Sequence, residues 1–148
     1  MSRIAHWVDG CLFDGSGDRL HPVYNPATGD HVSDVVLASN ADVDRAVDVA
    51  AAAFPAWRAT SLARRAEVMF RVRELLDGRR KELAALITDE HGKVLSDALG
   101  EVARGIENVE FACGVPALLK GGFSEQVATG VDVYSVRQPL GVVAGITP

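Results

Sequence analysis

The last nine residues constrain the fold most, because they form an almost continuous apolar run. Residues 140–148 read Leu-Gly-Val-Val-Ala-Gly-Ile-Thr-Pro and contain no charged side chain. A run of this kind predicts a strand buried on both faces of a parallel sheet. A parallel neighbour is reached only through a crossover of a dozen or more residues, and none follow Pro148. We therefore expect most of that sheet to be missing and the chain to be a truncated part of a larger α/β fold.

This terminal strand also suggests where a ligand would bind. In open α/β sheets the ligand lies beyond the carboxyl ends of the strands. That end is formed here by Ile146, Thr147 and Pro148. Their position makes them candidates for ligand contact, although residues 141–145 do not match a glycine-rich phosphate-binding fingerprint.

Composition excludes several classes of protein. The 148 residues suffice for one ordinary domain, and 48% apolar with 24% charged residues is typical of a globular protein. The 20 acidic and 15 basic residues give a formal charge of -5, which disfavours a nucleic-acid partner. The sequence has neither a leader-like start nor an apolar stretch long enough to span a bilayer, so we expect no membrane partner.

The cysteines and histidines do not form a recognisable metal or disulfide pattern. Cys11 and Cys113 lie about a hundred residues apart, outside any CxxC or Cys/His spacing. The four histidines share no metal-ligand spacing either. We therefore predict no metal site and no disulfide framework, and a reducing cytoplasm as the compartment.

The chain divides into four segments. Turn signals between short apolar runs predict a β arm over residues 1–39, with two or three short strands in a meander. Residues 40–122 are predominantly helical, and residues 123–139 contain an alternating, partly exposed strand over residues 131–137. Residues 140–148 form the predicted buried strand.

Three amphipathic helices are predicted in the second segment. The first follows a cap at Ser39 or Asn40 and ends by Arg58, with Pro55 closing or kinking it. The second begins after Ser61 and continues for about 30 residues to a C-cap at Gly92. The third is the most regular, since six apolar residues recur at steps of four and three on one face: Leu95, Leu99, Val102, Ile106, Val109 and Cys113.

Two features of the third helix follow from this pattern. Cys113 lies on the apolar stripe, which predicts a packed thiol rather than a nucleophile. Gly100, Gly105 and Gly114 each cost the helix up to about 1 kcal/mol relative to alanine, so we expect close packing or a backbone approach at them.

The polar face of the same helix offers the main candidates for chemistry. Asp97, Glu101, Arg104 and Asn108 recur at steps of four, three and four. Their spacing favours a solvated ladder of ion pairs worth a few tenths of a kcal/mol per pair. The alternative is that Arg104, whose planar guanidinium suits bidentate carboxylate binding, recognises an anionic substrate.

A series of short motifs resembles the N-terminal third of NAD(P)-dependent aldehyde dehydrogenases. The motifs occur in the same order and span nearly the whole chain: Tyr24-Asn25-Pro26-Ala27-Thr28-Gly29, Asp42-Val43-Asp44-Arg45-Ala46-Val47, Ala53-Phe54-Pro55-Ala56-Trp57, Arg64-Arg65-Ala66, Glu82-Leu83-Ala84, Glu90-His91-Gly92-Lys93 and residues 139–148. Within that superfamily, residues 100–112 and 134–137 resemble the CoA-acylating methylmalonate-semialdehyde dehydrogenases.

The resemblance implies a fold and an activity. The fold would be the N-terminal part of the aldehyde dehydrogenase fold: a β arm, three amphipathic helices, an oligomerisation-arm strand and the first strand of a Rossmann-like NAD domain. The complete enzyme would oxidise methylmalonate or malonate semialdehyde with NAD and pass the acyl group to CoA, in valine or inositol breakdown. It would be a homo-oligomer that associates through the arm strand.

The resemblance also implies roles for particular residues. Arg104 corresponds to an arginine that faces the substrate carboxylate, which reverses the preference that spacing alone suggested. Thr147, with Ile146 and Pro148 beside it, corresponds to the position that lines the NAD site. The nucleophilic cysteine, the oxyanion-hole asparagine and the ribose-binding lysine correspond to no residue of this chain, so we expect these 148 residues alone to be inactive.

A function of a different class is also open. The chain could be a free-standing interaction module that docks on a full-length aldehyde dehydrogenase through its apolar helix stripes and edge strand. The downstream reading frame separates the two hypotheses, because a continuation beginning Phe-Asn-Phe-Pro would identify the leading part of the enzyme.

Overall fold

The computed structural model describes residues 2–147, which form an α/β fold. Strands flank a central group of helices, and the elements within those residues have the following bounds: β1 (Ser2–Ile4), β2 (His6–Val8), β3 (Cys11–Phe13), β4 (Leu20–Tyr24), β5 (His31–Val36), α1 (Asn40–Ala59), α2 (Leu62–Gly78), α3 (Arg80–His91), α4 (Leu95–Cys113), α5 (Val115–Leu118), β6 (Phe123–Ala128) and β7 (Val131–Tyr134). No helix within this range is long and apolar enough to cross a lipid bilayer.

The N-terminal arm is not the simple meander that we predicted. β5 lies between β1 and β4, pairing parallel with β1 and antiparallel with β4, while β2 and β3 form a separate hairpin. The cause is the turn at Asp9 and Gly10, whose φ angles of 56° and 74° suit the tight turn of a two-residue hairpin. Residues 6–13 therefore pair with themselves, and β1 is left to pair with β5.

Helix α1 is joined to the arm through the buried carboxylate of Asp42. Ser39 and Asp42 form a reciprocal capping box, in which the Ser39 backbone N–H and hydroxyl each donate to Asp42 Oδ2 at 2.8 Å. Ser16 in the arm donates its backbone N–H to Asp42 Oδ1 at 2.9 Å. These hydrogen bonds outweigh burial and lower the pKa of Asp42 from 3.8 to about 2.

The second predicted helix is two helices. α2 and α3 meet at Arg79, whose backbone (φ -111°, ψ 17°) is outside the helical range, directly after Gly78. Glycine weakens a helix by about 1 kcal/mol relative to alanine, and Asp77 pairs with Arg80 across the junction at 2.6 Å. The break is only one residue long, so the helical spacing of apolar residues continues across it. This continuity is the reason that the sequence predicts a single helix. Pro55, by contrast, lies inside α1, which continues to Ala59.

The core lies where α4 packs against α2 and α3. Four buried residues form its centre, namely Ala84, Ala98, Val102 and Ile106, with half-buried Leu76, Leu83, Ile87 and Leu99 around them. Ala84 and Ala98 are completely buried, and small side chains of this kind allow the backbones of α3 and α4 to approach closely. The stripe on α4 is thus confirmed at its centre, whereas Leu95 at the start of the helix is exposed.

An ion-pair network on the surface also links α2 and α4. Arg73 on α2 donates to Glu110 on α4 through Nε at 2.9 Å and Nη2 at 2.8 Å. Its Nη1 lies 3.4 Å from Asp77. The hydrogen bond that Arg73 donates to Glu110 is the main reason that the pKa of Arg73 is raised. Exposed ion pairs each contribute little to the free energy of unfolding. This network therefore helps to orient α2 relative to α4, while apolar burial stabilises the packing of the two helices.

Gly92 ends α3 and touches the arm. Its φ of 83° is left-handed, as the predicted C-cap requires, and its N–H donates to Thr88 O at 2.8 Å. A Cβ at this position would lie 3.1 Å from Pro26 Cγ in the turn between β4 and β5. The absence of a side chain therefore serves both the turn and the contact between arm and helices.

The C-terminal part of the chain is largely exposed. β6 and β7 form a two-stranded hairpin in which every residue is exposed on both faces. Residues 135–147 form no strand, and Leu140 and Ile146 are 96% and 101% exposed. The buried strand predicted for this segment is therefore not formed in this structure. A strand needs hydrogen-bonding neighbours, and none lies beside this segment in the part of the chain that the structure describes.

We predict that acid weakens the link between the arm and α1. Because the folded pKa of Asp42 is below 3.8, its contribution to stability is present above about pH 4 and is lost as the pH falls toward about 2. Asp42→Asn should lower the urea midpoint at neutral pH and flatten its decrease in that acid window, as followed by circular dichroism. Asp44→Asn, an exposed change on the same helix, is the control, and equal pH profiles for the two variants would contradict the prediction.

We also predict that Gly92→Ala is more destabilising than Gly29→Ala. Both glycines have positive φ, which costs an alanine about 1–2 kcal/mol, but only Gly92 has Pro26 against its Cβ position. Urea unfolding of the two variants measures the difference. In a Pro26→Ala background, the losses of unfolding free energy caused by Gly92→Ala and Gly29→Ala should become similar. If the two losses are already equal with Pro26 present, Pro26 moves aside at no cost and the prediction is wrong.

Candidate functional site

The polar face of α4 is the part of the fold on which the sequence placed most of its candidate chemistry. Val102 and Ile106 anchor the opposite face of the helix in the core. Residues three and four positions apart share a helix face, so Glu101, Arg104 and Asn108 are held together on the exposed side. Asn108 donates from Nδ2 to the Arg104 carbonyl at 2.8 Å, within the same helix.

Glu101 is paired with Lys93 and not with Arg104. Lys93 lies in the turn between α3 and α4, next to Gly92, and its ammonium donates to Glu101 Oε2. Its side chain is only 23% exposed, compared with 47% for Glu101. The hydrogen bond and charge of Lys93 hold the pKa of Glu101 below its ordinary value, and Arg104 and His91 act in the same direction more weakly.

The guanidinium of Arg104 is not engaged by any acidic side chain among residues 2–147. It lies back along α4, so that a Cβ on Gly100 would be 3.8 Å from Arg104 Nη1. That distance is an ordinary van der Waals contact, and Gly105 has open space at its Cβ position, so the close packing expected at these two glycines is not present. An exposed guanidinium with its donors unpaired can bind a carboxylate through two parallel hydrogen bonds. The continuous ion-pair ladder that spacing suggested is not formed.

Two of the three terminal candidates lie within the described residues, and both are on the surface. Ile146 and Thr147 are exposed, and Pro148 lies outside the described residues. The segment just before them, at Val142 and Val143, runs beside α1 and the β2–β3 hairpin. The structure records no hydrogen bond between Ile146 or Thr147 and the polar face of α4 in the range 2–147.

Sequence reasoning missed an apolar groove. A cavity of about 400 Å³ lies between α1, the β2–β3 hairpin and the terminal segment, with Trp7, Val47 and Val143 among its walls. Its signal was present, because Val43, Val47 and Ala50 repeat at helical spacing on α1. The surface that faces α1 across the groove is the β2–β3 hairpin, and the Asp9-Gly10 sequence is the signal that would have predicted that hairpin.

The two cysteines differ in burial. Cys113 is 9% exposed, so the packed thiol predicted from the stripe is confirmed. Cys11 is exposed at the hairpin turn, where its thiol donates to Val8 O at 3.3 Å. Within residues 2–147, no group of three histidine, cysteine, aspartate or glutamate side chains is arranged to hold a metal ion.

Known proteins share this sequence and this fold. The sequence profile of the aldehyde dehydrogenase family matches residues 13–148. A malonate-semialdehyde dehydrogenase from Pseudomonas aeruginosa is 47% identical over 148 residues, which is 100% of this chain and 30% of that protein. A malonate-semialdehyde dehydrogenase from Lacticaseibacillus casei is 43% identical over the same coverage. The chain therefore spans about 30% of the length of these relatives.

Solved structures agree with the sequence comparison. A methylmalonate-semialdehyde dehydrogenase described as putative, from Sinorhizobium meliloti in complex with NAD, superposes with a TM-score of 0.94 at 44% identity. The match covers 100% of this chain and 30% of that one. A methylmalonate-semialdehyde dehydrogenase from Oceanimonas doudoroffii gives a TM-score of 0.89 at 47% identity, covering 95% and 28% of the two chains.

The Lys93–Glu101 pair yields a direct prediction. Lys93→Met removes the main cause of the lowered Glu101 pKa, so that pKa should rise toward its ordinary value. Carbon-detected NMR titration of the glutamate carboxyl groups measures the change. Lys81→Met, an exposed lysine on α3, is the matched control and should leave the Glu101 titration where it is. An unchanged pKa in Lys93→Met would refute the pairing.

Proposed function

The chain belongs to the aldehyde dehydrogenase family, and from this premise we propose that it is the leading segment of an NAD-dependent, CoA-acylating methylmalonate- or malonate-semialdehyde dehydrogenase. Its α/β fold is the N-terminal portion of the aldehyde dehydrogenase fold. The proposal includes oxidation of the semialdehyde by NAD, loss of its carboxylate as CO2 and transfer of the remaining acyl group to CoA, which gives propionyl-CoA or acetyl-CoA in valine or inositol breakdown. Relatives named for both semialdehydes support the substrate class.

One observation carries the substrate assignment. Arg104 presents an exposed guanidinium that no acidic side chain engages within the described residues. Methylmalonate and malonate semialdehydes differ from simple aldehydes by a carboxylate, which is the group that a guanidinium binds best. We assign Arg104 to that carboxylate. Holding it there would orient the aldehyde carbon at a fixed distance from the charged end of the substrate.

The terminal residues are assigned to the cofactor. Ile146 offers a fully exposed apolar side chain, and Thr147 is an exposed residue that carries a hydroxyl, a combination that suits contact with a ring and a polar edge of a dinucleotide. NAD, when bound, supplies the acceptor for the hydride that leaves the substrate. NAD is present in the solved structure from Sinorhizobium meliloti, which supports the choice of cofactor. Pro148, the third candidate, belongs to the same proposed contact.

This segment is assigned binding roles and not the covalent step. Acyl transfer to CoA requires a nucleophile that attacks the aldehyde carbon and is later displaced. Cys113 is buried beside the α2–α4 contact, and Cys11 lies in the turn of the β2–β3 hairpin. Neither thiol lies on the polar face that carries Arg104. We therefore place the nucleophile in the remainder of the enzyme.

The C-terminal hairpin is assigned to subunit contact. β6 and β7 expose apolar side chains on both faces, among them Phe123, Val133 and Tyr134. A two-stranded hairpin is marginally stable alone and gains from a further strand or surface. We propose that it pairs with a second subunit of a homo-oligomer. The two free cysteines accord with the proposed cytoplasmic location.

The experiment that tests the function is selective loss of substrate binding. Arg104→Gln in the full-length enzyme should raise KM for malonate semialdehyde by roughly 10- to 100-fold, because a charged hydrogen-bond pair is lost. KM for propionaldehyde, which has no carboxylate, should change little. Arg71→Gln, an exposed arginine on α2, is the matched control. Equal effects of Arg104→Gln on both aldehydes would show that Arg104 has a structural role only.

A further inference from the structure

Glu101 is positioned to compete for Arg104. It precedes Arg104 by three residues, and opposite charges at this spacing on a helix attract each other. The guanidinium also reaches back to Gly100, the residue before Glu101, where a Cβ would lie 3.8 Å from Arg104 Nη1. If Glu101 paired with Arg104, the carboxylate would occupy the donors that an anionic ligand needs.

The structure shows the opposite arrangement. The Glu101 carboxylate accepts a hydrogen bond from Lys93, which approaches from the turn before α4. The Lys93 backbone follows Gly92, which approaches the arm so closely that a Cβ there would lie 3.1 Å from Pro26 Cγ. Lys93 is the less exposed member of the pair, which favours a persistent contact over a mobile surface one.

We propose that Lys93 is a positioning residue, which holds the Glu101 carboxylate away from Arg104 and so keeps the guanidinium available for the carboxylate of the substrate. This inference rests on the proposed function, since that function assigns Arg104 to the substrate. Lys93 also neutralises a negative charge that would otherwise repel an anionic ligand from the same face of α4. Its contribution is therefore to substrate binding and not to the chemical step.

The test is a set of kinetic variants of the full-length dehydrogenase that carries this segment. Lys93→Met should raise KM for malonate semialdehyde by roughly three- to tenfold, with kcat and the KM for propionaldehyde nearly unchanged. Adding Glu101→Gln removes the competing carboxylate and should restore KM. Lys93→Arg should preserve KM, and Lys81→Met is the matched control. Lys93→Gln replaces Lys93→Met if circular dichroism shows that the latter does not fold.

A second readout does not depend on activity. In the 148-residue chain, Lys93→Met should shift the Nε–Hε NMR resonance of Arg104 as Glu101 turns toward it, and the Lys93→Met/Glu101→Gln double variant should reverse the shift. An unmoved resonance, or a KM that Glu101→Gln does not restore, overturns the positioning role.

The two proposals fail in different ways. If Arg104→Gln is selective for the carboxylated aldehyde but Lys93→Met has no effect, the positioning role is wrong and the proposed function stands. If Arg104→Gln is not selective, the assignment of Arg104 to the substrate carboxylate in the proposed function is wrong, and the inference falls with it. Agreement of the kinetic and NMR results supports both.

Discussion

The packing of α4 against α2 and α3 is the contact on which the other features depend. Ala84 and Ala98 are completely buried where α3 and α4 meet, and their small side chains let the two backbones come close enough to exclude water. Val102 and Ile106 extend that contact along the helix. A larger side chain at either alanine would force the helices apart, since packed interiors accommodate added volume poorly. The rotation of α4, and therefore the direction of its polar face, follows from this packing.

The arm is attached to the helices by polar and steric contacts rather than by a large apolar core. Asp42 connects the first helix to the loop at Ser16, and Gly92 brings the end of α3 against Pro26. Lys93 follows Gly92 directly, in the turn that leads into α4. A local backbone requirement, the left-handed conformation of Gly92, is thereby connected to the electrostatics of the candidate binding face.

The exposed surface carries many large apolar side chains. The groove beside α1, the β6–β7 hairpin and the segment from Leu140 to Thr147 present apolar side chains with no cover among the described residues. Contiguous surfaces of this kind mark places where other structure packs. This distribution accords with a chain that spans about 30% of the length of its relatives, in which most apolar surface would face further elements.

The sequence by itself determined what depends on local spacing and local chemistry. The apolar stripe of α4, the buried Cys113 and the C-cap at Gly92 were predicted because neighbours along a helix are fixed by its period, and the cap of α1 was narrowed to Ser39 or Asn40, of which the structure uses Ser39. The family was also recognisable, because ordered motifs persist along nearly the whole chain.

Only the tertiary structure decided the contacts that join distant segments. The parallel pairing of β1 with β5 depends on a hairpin between them, and the break at Arg79 left the apolar period intact. The apolar pattern from Leu140 onward predicts a strand, but a strand forms only where neighbouring strands pair with its backbone, and the pattern says nothing about whether such neighbours are present. Helical spacing alone predicts an ion pair between Glu101 and Arg104, yet the Glu101 carboxylate pairs with Lys93. The turn before α4 determines this pairing, because it brings the Lys93 ammonium closer to the Glu101 carboxylate than the Arg104 guanidinium is.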